Sequence, residues 1–286
     1  MKATSANQLF SFYRWRLLVA KHWTENRRRY GLSLLAIGGL HAIWFSCLIV
    51  VDVYAPMEAF MQFTAYIVGL YLVGCLYASM LFAELGAKKE ALPWLSLPAS
   101  HLEKLLCALL YGVVLFYIAY TLVFYFVDGI MVQWSNTIAY NHPRNWPNSN
   151  TRVLPVTLYN PFSAVGAPIP EKDDHLFTAL YFTVQSVFLL GSVYFSRFSF
   201  IKTVVAVLLC AVGFIVFQKT FVFPLLPHGW NNNVLSWTQP LYYQGPPANK
   251  VRLPAGLGDS IATLIWFILP LFFWFVTFLR LKEKEV

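Results

Sequence analysis

Six histidines (His22, His41, His101, His142, His175 and His228) and the acidic pair Asp173–Asp174 are the side chains with which this sequence could do acid–base or metal chemistry. Their spacing argues against it. No HExxH, CxxC or GxSxG occurs, which removes the commonest zinc-hydrolase, redox and serine-hydrolase signatures. There is no GxxxxGK[ST] loop to cradle a nucleotide's phosphates. Only His41 falls inside a long apolar stretch, where a lone histidine ordinarily makes one interhelical hydrogen bond. Asp173 and Asp174 precede another such stretch and read as the negative cap that a helix dipole favours, and Glu58 reads likewise. With His175 they form the single cluster at which a lipid-acting enzyme would be sought, and no partner motif accompanies them. No catalytic, cofactor-binding or metal-binding residue is therefore expected in this chain.

The elements that carry these residues are set by composition. Of 286 residues, 58% are hydrophobic, 18% aromatic and only 12% charged, against about 25% charged in a soluble domain. A soluble fold cannot hide that much apolar surface, so a multi-pass, all-α membrane protein is expected. Its four cysteines, Cys47, Cys75, Cys107 and Cys210, all lie in apolar stretches and read as small core residues. The first thirty residues are too basic and aromatic for a signal peptide.

About 20 apolar residues cross a bilayer, and six segments qualify: 31–51, 59–83, 105–127, 176–196, 200–220 and 258–279. With the N-terminus inside, 15 of the 21 Lys and Arg fall on cytoplasmic segments, so both termini are expected to be cytoplasmic. The net charge of +8 is then a topology signal and an attraction to anionic lipid, not a nucleic-acid footprint. Charged groups are nearly absent from the spans. Asp52, Asp128 and Asp259 sit at their ends, and Gln62 and Gln185 are the main polar groups nearer the interior. Nothing there suits ion-gradient coupling.

Residues 1–30 are expected as a cytoplasmic interfacial helix, and 31–286 as one six-span domain. The helix anchors the first span at the lipid surface, with its remaining faces open to a cytoplasmic partner. Outside, 52–58 make a tight turn at Pro56. The longer connections 128–175 and 221–257 are rich in Pro, Asn and aromatics, and read as irregular but packed loops, the second with room for a re-entrant or interfacial pair of short helices.

One inner connection stands out: ELGAKKEALPWLSLPASHLEKLL, between spans 2 and 3. Gly86 can end span 2. Ser100 and Glu103 have capping-box spacing, so Ser100 should start the helix of span 3. Pro98 blocks a continuous helix and forces an elbow. This stretch, with its K-K-x-x-x-x-W lead, resembles the first cytoplasmic loop of bacterial ABC-2-type transporter permeases. Six spans, two cytoplasmic termini and a basic N-terminal helix are similar to that family as well.

The resemblance implies an ABC-2-type (type V exporter-like) permease fold and a coupling helix that docks on a separate ABC ATPase subunit, which binds the ATP and magnesium. Lys88, Lys89, Glu90 and Trp94 would contact the ATPase. Leu97, Pro98, Ser100, Glu103 and Lys104 would pass its motion to span 3. It also implies a second permease copy or paralogue, and short re-entrant helices in 221–257. The long 128–175 loop departs from the family pattern and points to an extracytoplasmic protein contact. The expected function is export of a lipid-like, peptide or glycan substrate across the bacterial inner membrane. The alternative is a non-transporting scaffold of an envelope complex.

Overall fold

The computed structural model describes residues 10–51, 59–82, 99–141, 156–159, 174–195, 197–222 and 257–284. Among these residues the chain is helical, with one short extended piece at 156–159 and no strand. Helix α1 spans Phe12–Val51 and α2 spans Ala59–Met80. Helix α3 is built from an α-helical stretch His101–Leu109, a π-helical stretch Leu110–Leu115 and an α-helical stretch Phe116–Asn141. Helix α4 is Asp174–Tyr194, α5 is Ser199–Phe217 continued by a π-turn Gln218–Val222, and α6 is Leu257–Lys284 with Pro270 inside it. Among the described residues, five helices, α1 to α5, are long and apolar enough to cross a membrane. The chain is a multi-pass α-helical membrane protein.

Two expectations change. The interfacial helix 1–30 and the first span are not separate elements, because α1 runs through residue 30 without a break. No proline interrupts Phe12–Val51, and Gly31 at the expected junction costs a helix only about 1 kcal/mol. At 1.5 Å per residue, 40 residues extend about 60 Å, twice the hydrocarbon thickness. Likewise 128–141, expected as part of an irregular loop, continues α3. The breakers of that loop begin at Pro143, whereas the buried stripe of Tyr120, Phe124, Asp128, Val132 and Ser135 carries helical spacing onward. Within these long helices, 31–51 and 105–127 remain the stretches apolar enough for the bilayer interior. The expected turn at 52–58, the inner piece 87–96 and nearly all of 221–257 lie outside the described residues.

Packing shows how the helices run. Arg14 meets Glu103 at the starts of α1 and α3, and Ser46 meets Met131 near their far ends, so the two are parallel. Tyr71 bonds the Phe177 carbonyl while Phe82 packs with Leu189, so α2 and α4 are parallel as well. Thr183 with Trp266, and Val193 with Leu281, align α6 with α4. The start of α1 and the end of α6 therefore lie at the same end of the bundle, called its base here. The main core is aromatic: Phe45, Tyr66, Phe116, Tyr120, Phe124 and Tyr181 knit α1 to α4. Helix α5 touches α4 and α2 but buries only Ser199 and Thr203. Its other side chains suit lipid, since nothing apolar gains from hiding there. The α4–α5 turn closes through Phe198 at φ 53°, ψ 41°, in the left-handed region.

Candidate functional site at the base of the bundle

Local chemistry fixes the start of α3. Ser100 is extended (φ −69°, ψ 157°), as an N-cap must be, and its Oγ accepts the Glu103 N–H at 3.2 Å. Glu103 Oε2 in turn accepts the Ser100 N–H at 2.9 Å, which completes the capping box expected from the sequence. The other oxygen does something no local rule foretells. Glu103 Oε1 accepts the Ser11 N–H at 2.6 Å and Arg14 Nη2 at 3.0 Å. Ser11 directly precedes α1, and its carbonyl accepts the Trp15 N–H at 2.9 Å. One carboxylate thus holds the first turns of two parallel helices together.

That carboxylate has no exposed surface. Burial alone would raise its pKa; the Ser100 and Ser11 N–H groups and the Arg14 guanidinium outweigh it and hold the group below the usual carboxylate value. Next to it Lys104 is also buried, and its N–H donates to the Ser100 carbonyl at 3.0 Å. Leu105 then packs with Phe82 at the end of α2, Leu189 and Val193 on α4, and Leu281 on α6. The foot of α3 is accordingly a junction of five helices.

One turn higher, the π-helical stretch makes a second junction. The Tyr111 hydroxyl donates to the Val19 carbonyl of α1 at 3.0 Å, and its ring stacks on Tyr30 with centroids 5.8 Å apart. His22 lies 4.6 Å from the Tyr111 ring and bonds the Tyr30 hydroxyl at 2.6 Å; Tyr77 of α2 meets Tyr30 edge-on. Gly112 leaves room here for the Leu81 side chain, whose δ-methyl would have to move aside for a β-carbon. The basic half of α1 is therefore latched to α3 by aromatic and carboxylate contacts. π-Helical stretches concentrate at functional positions in helices.

At the opposite end, two carboxamides grip the extended piece 156–159. Asn136 Nδ2 donates to the Val156 carbonyl and Oδ1 accepts the Val156 N–H, each at 3.0 Å. Gln62 Oε1 accepts the Tyr159 N–H at 2.8 Å, and its Nε2 donates to the Thr157 carbonyl at 3.3 Å. The expectation that this connection packs holds for these residues. Beside it lies a small crevice between Phe63, Tyr66, Tyr117, Tyr159 and Phe177, with no charged side chain in its lining.

Of the residues singled out in sequence, Ser100, Glu103 and Lys104 lie together at the foot of α3. Lys88, Lys89, Glu90, Trp94, Leu97 and Pro98 lie outside the described residues. Sequence reasoning missed Ser11 and Arg14 as partners of Glu103, because nothing in the chain marks a contact 92 residues apart. Asp128, which the sequence sets at the end of an apolar span, is fully buried inside α3. Compared with known proteins, the chain matches no family model, no curated protein and no solved structure, so its geometry must carry the functional reading.

Proposed function

We propose that the chain is the membrane subunit of an ATP-driven ABC exporter of the ABC-2 type, in the bacterial inner membrane. It has six spans, with α6 as the sixth, and the base of the bundle is cytoplasmic. A separate ABC ATPase docks on the 85–105 connection through Lys88, Lys89, Glu90 and Trp94 and supplies all nucleotide chemistry. A second permease copy or paralogue completes the transporter. The observation that carries this reading is the Glu103 clamp. A push delivered through the Leu97–Pro98 elbow to Ser100 reaches α1 through Ser11 and Arg14, and α2, α4 and α6 through Leu105. Such rigid linkage at the foot of one helix is what a power-transmission site requires. The near-absence of charged side chains from the apolar spans supports a lipid-like, peptide or glycan substrate over a small ion.

A second reading, a scaffold that binds an extracytoplasmic protein, is favoured by the backbone grip of Asn136 and Gln62 on 156–159. It holds one piece of a long connection in a fixed shape. Affinity purification of the tagged chain in mild detergent, with co-purifying proteins identified by mass spectrometry, separates the two. An ATPase bound to the wild type and lost when Lys88, Lys89, Glu90 and Trp94 become alanine supports the transporter. A folded chain that recruits no ATPase in either form supports the scaffold.

A further inference from the structure

Asp128 sits in the aromatic core with nothing beside it to balance a charge. It has no exposed surface, and neither carboxyl oxygen has a hydrogen-bond partner among the described residues. The one backbone N–H that acts on it, that of Tyr159, is engaged by Gln62 Oε1 at 2.8 Å. Helix α2, residues 31–51 of α1, residues 105–141 of α3 and the piece 156–159 contain no Lys or Arg. The titratable groups of this part of the core are Tyr120 and Tyr125 on α3, Tyr66 on α2, Tyr159, and His41 on α1, which is bonded to Tyr120 eight residues before Asp128, about 12 Å along the helix. None of them brings a fixed positive charge. A bare carboxylate sealed from water and from cations costs far more than the neutral acid, so such a group keeps its proton.

The extended piece 156–159 lies against this stretch of α3. Tyr159 belongs to the same buried cluster as Val127 and Val132, which bracket Asp128 in the chain. A β-carbon on Gly129 would stand 3.9 Å from Leu158. The piece is fastened at one end by Asn136 and at the other by Gln62, and the Tyr159 ring rests on Phe63 and Tyr66 with centroids 5.6 and 6.1 Å apart. None of these holds uses Asp128, so the carboxyl adds nothing to the seat except the charge it carries or lacks. Among the described residues 156–159 is the only non-helical backbone against it, and a segment held by a few side chains opens more readily than a packed helix. Ionisable groups buried at membrane depth mark proton and ion sites.

We propose that Asp128 is a buried proton-binding site whose occupancy seats the outer connection: with the proton bound, 156–159 lies closed on α3, and loss of the proton lifts it. In that step the carboxyl O–H bond breaks, the proton leaves to water, and the negative charge stays on Asp128 and draws water in. The seated chain favours the neutral acid, so the seat is firm at low pH and weakens as pH rises. The inference is independent of the exporter reading, since it rests on the burial of one group. The test uses full-length protein in lipid nanodiscs between pH 5 and pH 9. Infrared difference spectra of the wild type against Asp128→Asn, which keeps the shape of the neutral acid, should show a protonated-carboxyl band at pH 5 that fades as the pH rises. Deuterium exchange at Val156 and Tyr159 should be equal in the two proteins at pH 5 and about tenfold faster in the wild type at pH 9. Should Asp128→Asn fail to elute as the wild type does, Asp128→Glu assigns the band instead, since it keeps the proton and shifts the frequency. No protonated band at pH 5 overturns the proposal, for Asp128 would then be an ion-paired carboxylate. A wild-type exchange rate that tracks Asp128→Asn at every pH overturns the link to 156–159.

Discussion

Replacing Glu103 by glutamine changes one oxygen to an NH₂ group and removes one charge, with volume almost unchanged. In the structure Glu103 accepts the Ser100 N–H, the Ser11 N–H and Arg14 Nη2 and has no exposed surface. The amide nitrogen cannot accept, so at least one backbone N–H is left facing a donor, a loss of about 1–3 kcal/mol. The bonds that remain lose their charge assistance, so about 3 kcal/mol in total is expected. Arg14→Ala should cost less, about 1 kcal/mol, because its side chain is 37% exposed and water replaces it. The assay is thermal unfolding in detergent for the wild type, Glu103→Gln and Arg14→Ala, repeated between pH 3 and pH 7. Glu103 is held below its ordinary pKa in the folded state. Its contribution is therefore fully present above the unfolded value, about 4.3, and is lost as pH falls through the lowered folded value. The gap between wild type and Glu103→Gln should narrow as the pH drops below about 4. Equal melting temperatures at pH 7, or a constant gap across the range, would refute the clamp.

Two further outcomes are expected. Asn136→Ala removes both bonds to Val156, worth roughly 1–2 kcal/mol, so the Val156 amide should exchange with deuterium about tenfold faster; unchanged exchange would show that Gln62 alone holds the segment. Phe198→Gly relieves a left-handed conformation that costs an L-residue about 1–2 kcal/mol and gives back about 0.5–1 in chain entropy. The exposed ring loses little, so the melting temperature should rise by about 1–3 °C, and a fall would show that the ring does more than the backbone suffers.

What could be read from the chain follows the range of each signal. Hydropathy marked the apolar segments because bilayer crossing depends on some 20 consecutive residues. It did not mark the ends of α1 and α3, since Phe12–Tyr30 and Asp128–Asn141 are helical through packing and continuity rather than hydropathy. The capping box was legible because Ser100 and Glu103 are three residues apart and their bonds need no other element. The second half of the same carboxylate's work was not, because Ser11 and Arg14 meet it only after α1 and α3 align. The burial of Asp128 was not legible for the same reason, being a property of the helix that extends past it. The expectation of one interhelical bond at His41 was met by Tyr120.

The π-helical stretch Leu110–Leu115 has a consequence for register. Relative to an uninterrupted α-helix, a stretch bonded i to i+5 accommodates about one additional residue, and each residue of an α-helix turns the chain by about 100°. The face that carries Glu103 and Leu105 at the foot of α3 is therefore turned by about that angle, relative to the face that carries Tyr120, Phe124 and Asp128, from where an uninterrupted helix would set it. Both nevertheless reach partners on α1, Glu103 at Arg14 and Tyr120 at His41. Removing one residue between Leu110 and Leu115 would restore a regular helix and rotate one half against the other by about a quarter turn, so that only one of the two seams with α1 could form. The irregular stretch is thus a phase corrector: it lets a single long helix keep two separately oriented grips on its neighbour.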